Sequence, residues 1–209
     1  MPSLREAPKA SRRETPRPAP WPTERVLLLG ALMFVVLSSL YSAANVLHWR
    51  EPAVLPWTIV DRAVPFVDWT VWIYLSHFAM QGWLVWESAR ARDPRPLFAV
   101  ALSAAISISI FFAFPTTTGA WPWAPGPVSA LGFNLLSRLN TPANSLPSMH
   151  VSLAALAAAT VARVRPSRTL VAIAWACAVI ASTLTAKQHT AVDVPAGLAV
   201  AWLSWRITR

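Results

Sequence analysis

Leu146-Pro147-Ser148-Met149-His150, then two apolar runs, then Lys187-Gln188-His189-Thr190-Ala191-Val192-Asp193: this stretch sets two histidines and a carboxylate at the ends of segments long enough to cross a bilayer. Elsewhere the apolar runs are kept almost clear of charge. Ionisable groups at membrane depth are costly and tend to be kept for function, so these three residues are candidates for chemistry.

The surrounding composition agrees with a bilayer setting. Of 209 residues, 55% are hydrophobic and only 13% charged, and the mean hydropathy is +0.44. That is the balance of a membrane protein rather than a soluble one. A net charge of +9 would suit nucleic acid if it formed one patch. The basic residues instead lie in short clusters at the ends of apolar runs, so no nucleic-acid partner is expected. The single cysteine, Cys177, leaves no disulfide framework to consider.

Working outward, six apolar runs predict an all-α, polytopic membrane protein built as a six-helix transmembrane bundle. Residues 1–24 are rich in Pro, Arg, Ser and Ala, have almost no large aliphatic side chain, and are expected to form a disordered basic cytoplasmic tail. Residues 25–209 form the transmembrane domain. The run Val26–Leu47 is long for a signal-peptide core and reads as an uncleaved first span. Further spans are expected at 66–86, 97–114, 146–164, 169–185 and 192–207, the last three near the lower limit of about 17 residues. Alanines at 154, 155, 157, 158, 159 and at 172, 174, 176, 178, 181 would allow two of these helices to approach closely. Between spans three and four lies a long connector, 115–145, with a short helix expected at Leu131–Leu139. Trp121 and Trp123 read as part of an aromatic belt, His48 and Arg50 as interfacial anchors, and His77 as a packing residue within span two.

Charge counting orients the bundle. Assigning loops alternately to two sides puts fourteen of the 18 Lys and Arg on one side. Only Arg50, Arg62, Arg138 and Lys187 fall on the other. By the positive-inside rule the termini are cytoplasmic, and His150, His189 and the long connector share the external face of an inner or plasma membrane.

His150 falls just inside the start of span four, with Pro147 available for the first turn and Ser145 or Ser148 as cap. A helix N-terminus favours phosphate through its free N–H groups and its dipole. If residues 189–193 are helical, Asp193 shares a face with His189, can accept its Nδ1 proton, and leaves Nε2 as a directed base or nucleophile. Thr190-x-x-Asp193 also reads as a capping box opening span six. A metal triad of two His and one carboxylate is the other chemical reading, but no further external Cys, Asp or Glu lies near in sequence. No metal and no cofactor is expected.

Pro147-Ser148-Met149-His150 resembles the Pro-Ser-Gly-His motif of the type 2 phosphatidic acid phosphatase superfamily, and His189-x-x-x-Asp193 resembles the end of its Ser-Arg-x5-His-x3-Asp motif. Residues 140–150 and 185–189 are similar to bacterial members of the branch that holds inositol phosphorylceramide synthase and sphingomyelin synthase. The chain departs from the pattern elsewhere. The family's Lys-x6-Arg-Pro motif has no counterpart, the corresponding stretch reading Phe114-Pro115-Thr116-Thr117-Thr118-Gly119, and Ser182 and Thr183 stand where the later motif has its Arg.

The resemblance implies a six-span phosphoryl-transfer enzyme acting on a lipid phosphate ester or anhydride at the outer face. His189 would be the nucleophile and become a phosphohistidine, Asp193 would hold its tautomer, and His150 would protonate the leaving alkoxide. Water as acceptor makes a phosphatase, and an alcohol acceptor makes a headgroup transferase. With the usual arginines missing, Lys187, Arg138, Ser148 and Gln188 are the candidate phosphate-binding residues, and Arg62 is a more distant one. The alternatives are a non-catalytic membrane scaffold that kept the fold, or a transporter, which would call for broken midplane helices and matching repeats.

Overall fold

The computed structural model describes residues 19–47, 49–119, 122–139 and 143–209. His48, Trp121, Asn140 and the tail up to residue 18 lie outside these described residues. Thr23 and Glu24, expected in the tail, instead open the first helix, α1 (Thr23–Val46).

The chain is mostly helical. Each apolar run folds as helix because nothing else satisfies its backbone polar groups from within one segment. Span two is interrupted: α3 (Val71–Leu75) gives way at Ser76 to α4 (His77–Arg90). Then come α5 (Arg95–Ala113), α6 (Pro127–Leu139) in the long connector, α7 (Met149–Val164), α8 (Thr169–Thr185) and α9 (Asp193–Thr208). A short α2 (Ile59–Ala63) precedes α3. Among the described residues three stretches, Thr23–Ala44, Arg95–Ala113 and Pro166–Thr185, are long and apolar enough to cross a membrane. α7 and α9, at 16 residues each, reach only about 24 Å at 1.5 Å per residue.

The all-α expectation needs one correction. β1 (Ala53–Leu55) and β2 (Thr116–Thr118) pair in parallel, Ala53 opposite Thr116 and Leu55 opposite Thr118. Two loops from distant parts of the chain are thereby joined over one end of the bundle, and the three threonines of β2 are β-branched residues that suit a strand.

At the centre runs α7, packed against α4, α5, α8 and α9. Its buried Ala154 and Ala157, with Ala172 and Ala176 of α8, form the close seam expected of small residues. α9 approaches α7 still more closely at Gly197, where a Cβ would meet the Ser148 carbonyl oxygen at 2.5 Å and Val151 Cβ at 2.9 Å. Only glycine fits there. The contact fixes the start of α9, with Asp193, against the start of α7, with His150. At the opposite end of the bundle Asp93 binds both Arg95 (2.8 Å) and Arg163 (2.7 Å), tying the α4–α5 turn to the end of α7.

Candidate active site

The end of α8 determines where His189 goes. Lys187 N–H donates to the Leu184 carbonyl and Gln188 N–H to that of Thr183, the paired bonds of a Schellman motif. Lys187 takes the left-handed position at φ 56°, where glycine is usual. Its side chain explains why a lysine stands there. The buried ammonium donates to the carbonyls of Asp61 (2.7 Å) and Val64 (2.5 Å) at the end of α2. Burial lowers the Lys187 pKa from its ordinary value, and the charge of Asp61 opposes that shift. Asp61 meanwhile closes a capping box with Thr58 and accepts the Ala191 N–H at 2.7 Å. The loop from 187 to 191 is thus clamped to α2 from both ends.

The loop delivers His189 into a buried setting. Its Nδ1 lies 3.0 Å from the Ser145 carbonyl and 3.3 Å from Asp193 Oδ2. Both neighbours are acceptors, so Nδ1 carries the ring proton and Nε2 is left with its lone pair. That lone pair points at His150 Nδ1, 3.4 Å away. Residues 189–192 form a turn rather than the helical start considered from the sequence. Asp193 nevertheless reaches both roles read for it. Its Oδ2 accepts the Thr190 N–H at 2.7 Å, as a cap would, and the same oxygen faces His189.

His150 occupies the second position of α7. Ser148 is the N-cap, its Oγ accepting the Val151 N–H at 3.3 Å, and Pro147 stands ahead of the cap rather than in the first turn. His150 Nδ1 also meets the Tyr74 hydroxyl at 3.0 Å, and the two rings stack with centroids 4.1 Å apart. His77 packs against the other edge of His150 at 4.3 Å between centroids, its Nδ1 donating to the Tyr74 carbonyl at 3.1 Å. Tyr74 and His77 are therefore neighbours of the histidine pair. The sequence carried a signal for both, since Tyr74, Ser76 and His77 are polar groups inside an apolar run.

The four candidate phosphate-binding residues are dispersed. Ser148 is buried as a cap, Lys187 is bound to carbonyls, and the Gln188 amide donates to the Ala186 carbonyl at 3.2 Å. Arg138 is exposed in the last turn of α6. The stretch that replaces the missing lysine motif has work of its own. Thr116 accepts the Ser145 N–H through its carbonyl and the Leu146 N–H through its hydroxyl, both at 3.0 Å. It thereby sets the Ser145 carbonyl that orients His189. Ser182 and Thr183 are buried in α8, where the Thr183 carbonyl accepts the N–H groups of Gln188 and His189.

The arrangement is an imidazole oriented by an aspartate, with a second imidazole facing its other nitrogen. A family model described as the PAP2 superfamily matches residues 43–207. The chain belongs to that superfamily. No curated protein and no solved structure matches it. The match spans the histidines, the aspartate and the frame around them, and membership brings a membrane enzyme of phosphatase or phosphotransferase type. In this PAP2 chain the frame includes Tyr74, Asp61 and the Ser145 carbonyl, which sequence motifs alone do not point to.

Proposed function

We propose that the protein is a membrane phosphoryl-transfer enzyme for lipid phosphate esters or anhydrides, working through a phosphohistidine on His189. The observation that carries this reading is the orientation of His189, with Nδ1–H between Asp193 and Ser145 and the Nε2 lone pair aimed at His150. The Nε2 lone pair attacks phosphorus and the bond from phosphorus to the leaving alkoxide breaks. A proton held on His150 passes to that oxygen. In the second half, water or an acceptor alcohol attacks phosphorus, His150 takes its proton, and the P–N bond breaks. Asp193 stabilises the charge that builds on His189 during both halves.

Ser148 aims the first-turn N–H groups of α7 at the phosphoryl group, a favourable position for an anion. Lys187 supplies a fixed positive charge behind the loop, Gln188 a nearby amide, and Arg138 a cation on an exposed side chain. The six helical passes, with cytoplasmic termini and the site at the external face, follow from the charge asymmetry of the loops. The similarity of residues 140–150 to the inositol phosphorylceramide and sphingomyelin synthase branch, together with the missing arginine set, gives the transferase outcome equal standing with the phosphatase.

The test is to incubate the purified protein with labelled lipid phosphate, with and without alcohol acceptors. Release of inorganic phosphate alone identifies a phosphatase, and label moved to the alcohol identifies a transferase. No turnover of any lipid phosphate supports a non-catalytic scaffold.

A further inference from the structure

At the end of the bundle opposite the histidines, three guanidiniums crowd around one carboxylate. Asp93 is fully engaged: Oδ1 accepts the Arg95 main-chain N–H (3.0 Å) and Nε–H (2.8 Å), and Oδ2 accepts from Arg95 Nη2 (3.0 Å) and Arg163 Nη2 (2.7 Å). Arg163 also lies over the Trp205 ring, 5.0 Å from its centroid, and Arg209 lies over the same ring at 5.4 Å. The charges of Arg95 and Arg209 both act against that of Arg163. Arg209 is exposed and is in no ion pair among the described residues. Glu87 is taken by Arg165 at 3.5 Å. Three positive side chains against one negative leave two charges unbalanced, and like charges this close repel unless an anion joins them. Guanidinium forks suit the oxygens of a phosphate group.

The surface beside the arginines says which kind of phosphate. Leu198, Trp202, Trp205 and Arg209 stand at i, i+4, i+7 and i+11, on one face of α9 and its C-cap. Leu198 and Trp202 are exposed, and Trp205 is partly buried against the core. An apolar track thus runs from the arginines up the helix for roughly 16 Å, close to the depth of one leaflet. A soluble phosphate would use the cations alone. A phospholipid uses both, with its phosphate at the arginines, the Trp205 indole at headgroup level and a chain along Trp202 and Leu198.

We propose that Arg95, Arg163 and Arg209, gathered about Asp93 and Trp205, bind the headgroup of an anionic phospholipid. A zwitterionic lipid brings its own cation to the phosphate and leaves the excess charge unbalanced. On the orientation proposed above this is the cytoplasmic end, where basic pockets between helices meet anionic lipid. The site is separate from the histidines and does not depend on phosphoryl transfer.

The test uses the purified full chain in detergent with equal amounts of dioleoyl phosphatidylglycerol and dioleoyl phosphatidylcholine, which share the same chains. Native mass spectrometry reads which lipid is retained by the wild type, Arg163→Gln, Arg209→Gln and Arg168→Gln. Arg209→Gln leaves both Asp93 ion pairs in place, so it probes the site without loosening the fold. Arg168→Gln removes the same charge from the exposed turn between α7 and α8. The wild type is expected to favour phosphatidylglycerol, Arg163→Gln and Arg209→Gln each to lower that preference about fivefold, and Arg168→Gln to keep it. Added phosphatidylglycerol should also raise the melting temperature of the wild type more than that of Arg209→Gln. No preference in the wild type, a preference that survives both cluster substitutions, or an equal loss in Arg168→Gln overturns the proposal. Glycerophosphoglycerol, the same headgroup without chains, is then added at the lipid concentration. Unchanged retention supports a lipid site, and displacement reveals a site for soluble phosphate and overturns the lipid assignment.

Discussion

The Nε2 of His189 and the Nδ1 of His150 face each other at 3.4 Å, although 39 residues separate them in the chain. With Nδ1–H of His189 held between two acceptors, the lone pair that faces His150 is the one available for attack. His189→Ala and His150→Ala are each expected to lower turnover by at least about 10²–10⁴-fold, with membrane insertion unchanged. Because the two rings act as a unit, the double variant should be little worse than either single one. Near-normal activity in either single variant contradicts the pairing.

Tyr74 is a positioning residue, since its hydroxyl touches His150 rather than the reacting atoms. Tyr74→Phe keeps the ring stack and removes about 1 kcal/mol of hydrogen bond, so kcat should fall roughly fivefold with KM nearly unchanged. The pH profile of kcat should shift as well, because a partner of the proton-carrying ring has been lost. A fall in thermal stability with an unchanged profile would reduce Tyr74 to packing.

Lys187 combines an unfavourable backbone with two favourable side-chain bonds. Lys187→Ala keeps the left-handed strain and leaves two carbonyls short of a donor, at about 1–3 kcal/mol each. Lys187→Gly loses the same bonds but relieves the strain. Melting temperatures should therefore fall in the order Lys, Gly, Ala. An Ala variant as stable as the wild type would show that the ammonium does not hold the loop.

Gly197 permits the contact that sets Asp193 beside the start of α7. Gly197→Ala forces a Cβ against backbone, and overpacking of this kind costs about 1–3 kcal/mol. Activity should fall with stability, since α9 cannot move away without taking Asp193 from His189. Full activity in this variant would mean that the two helices yield at no cost.

At the other end of the bundle, Asp93 gives a pH dependence. Burial works to raise its carboxyl pKa, but hydrogen bonds from Arg95 and the charges of Arg163 and Arg95 hold it below the ordinary value of 3.8. A folded pKa below the unfolded one means that the stabilisation is complete above about 3.8 and is lost as the pH falls through the folded value. The melting temperature should drop more steeply in that acid range for the wild type than for Asp93→Asn. Equal slopes would contradict the linkage.

The sequence made His150, His189 and Asp193 legible because histidines and a carboxylate at the ends of apolar runs have few bland explanations. Helix positions were legible for the same reason that hydropathy works in bilayers: each helix satisfies its own backbone. The role of Lys187 was hidden because glycine or asparagine is the usual mark of that helix end, and because its partners lie more than 120 residues away. Thr116 and the Ser145 carbonyl were hidden for a similar reason, since a main-chain acceptor leaves no trace in residue type. Tyr74 and His77 left a trace, but polarity inside one run does not say which neighbouring helix it faces.

The most direct measurement is to trap the intermediate. Purified protein is mixed with radiolabelled lipid phosphate and quenched in alkali, in which phosphohistidine survives, and the labelled peptide is mapped. The expected result is label on His189 that is absent in His189→Ala and that accumulates when the acceptor is withheld. Turnover without any protein-bound label, or label on His150 instead, would contradict the account.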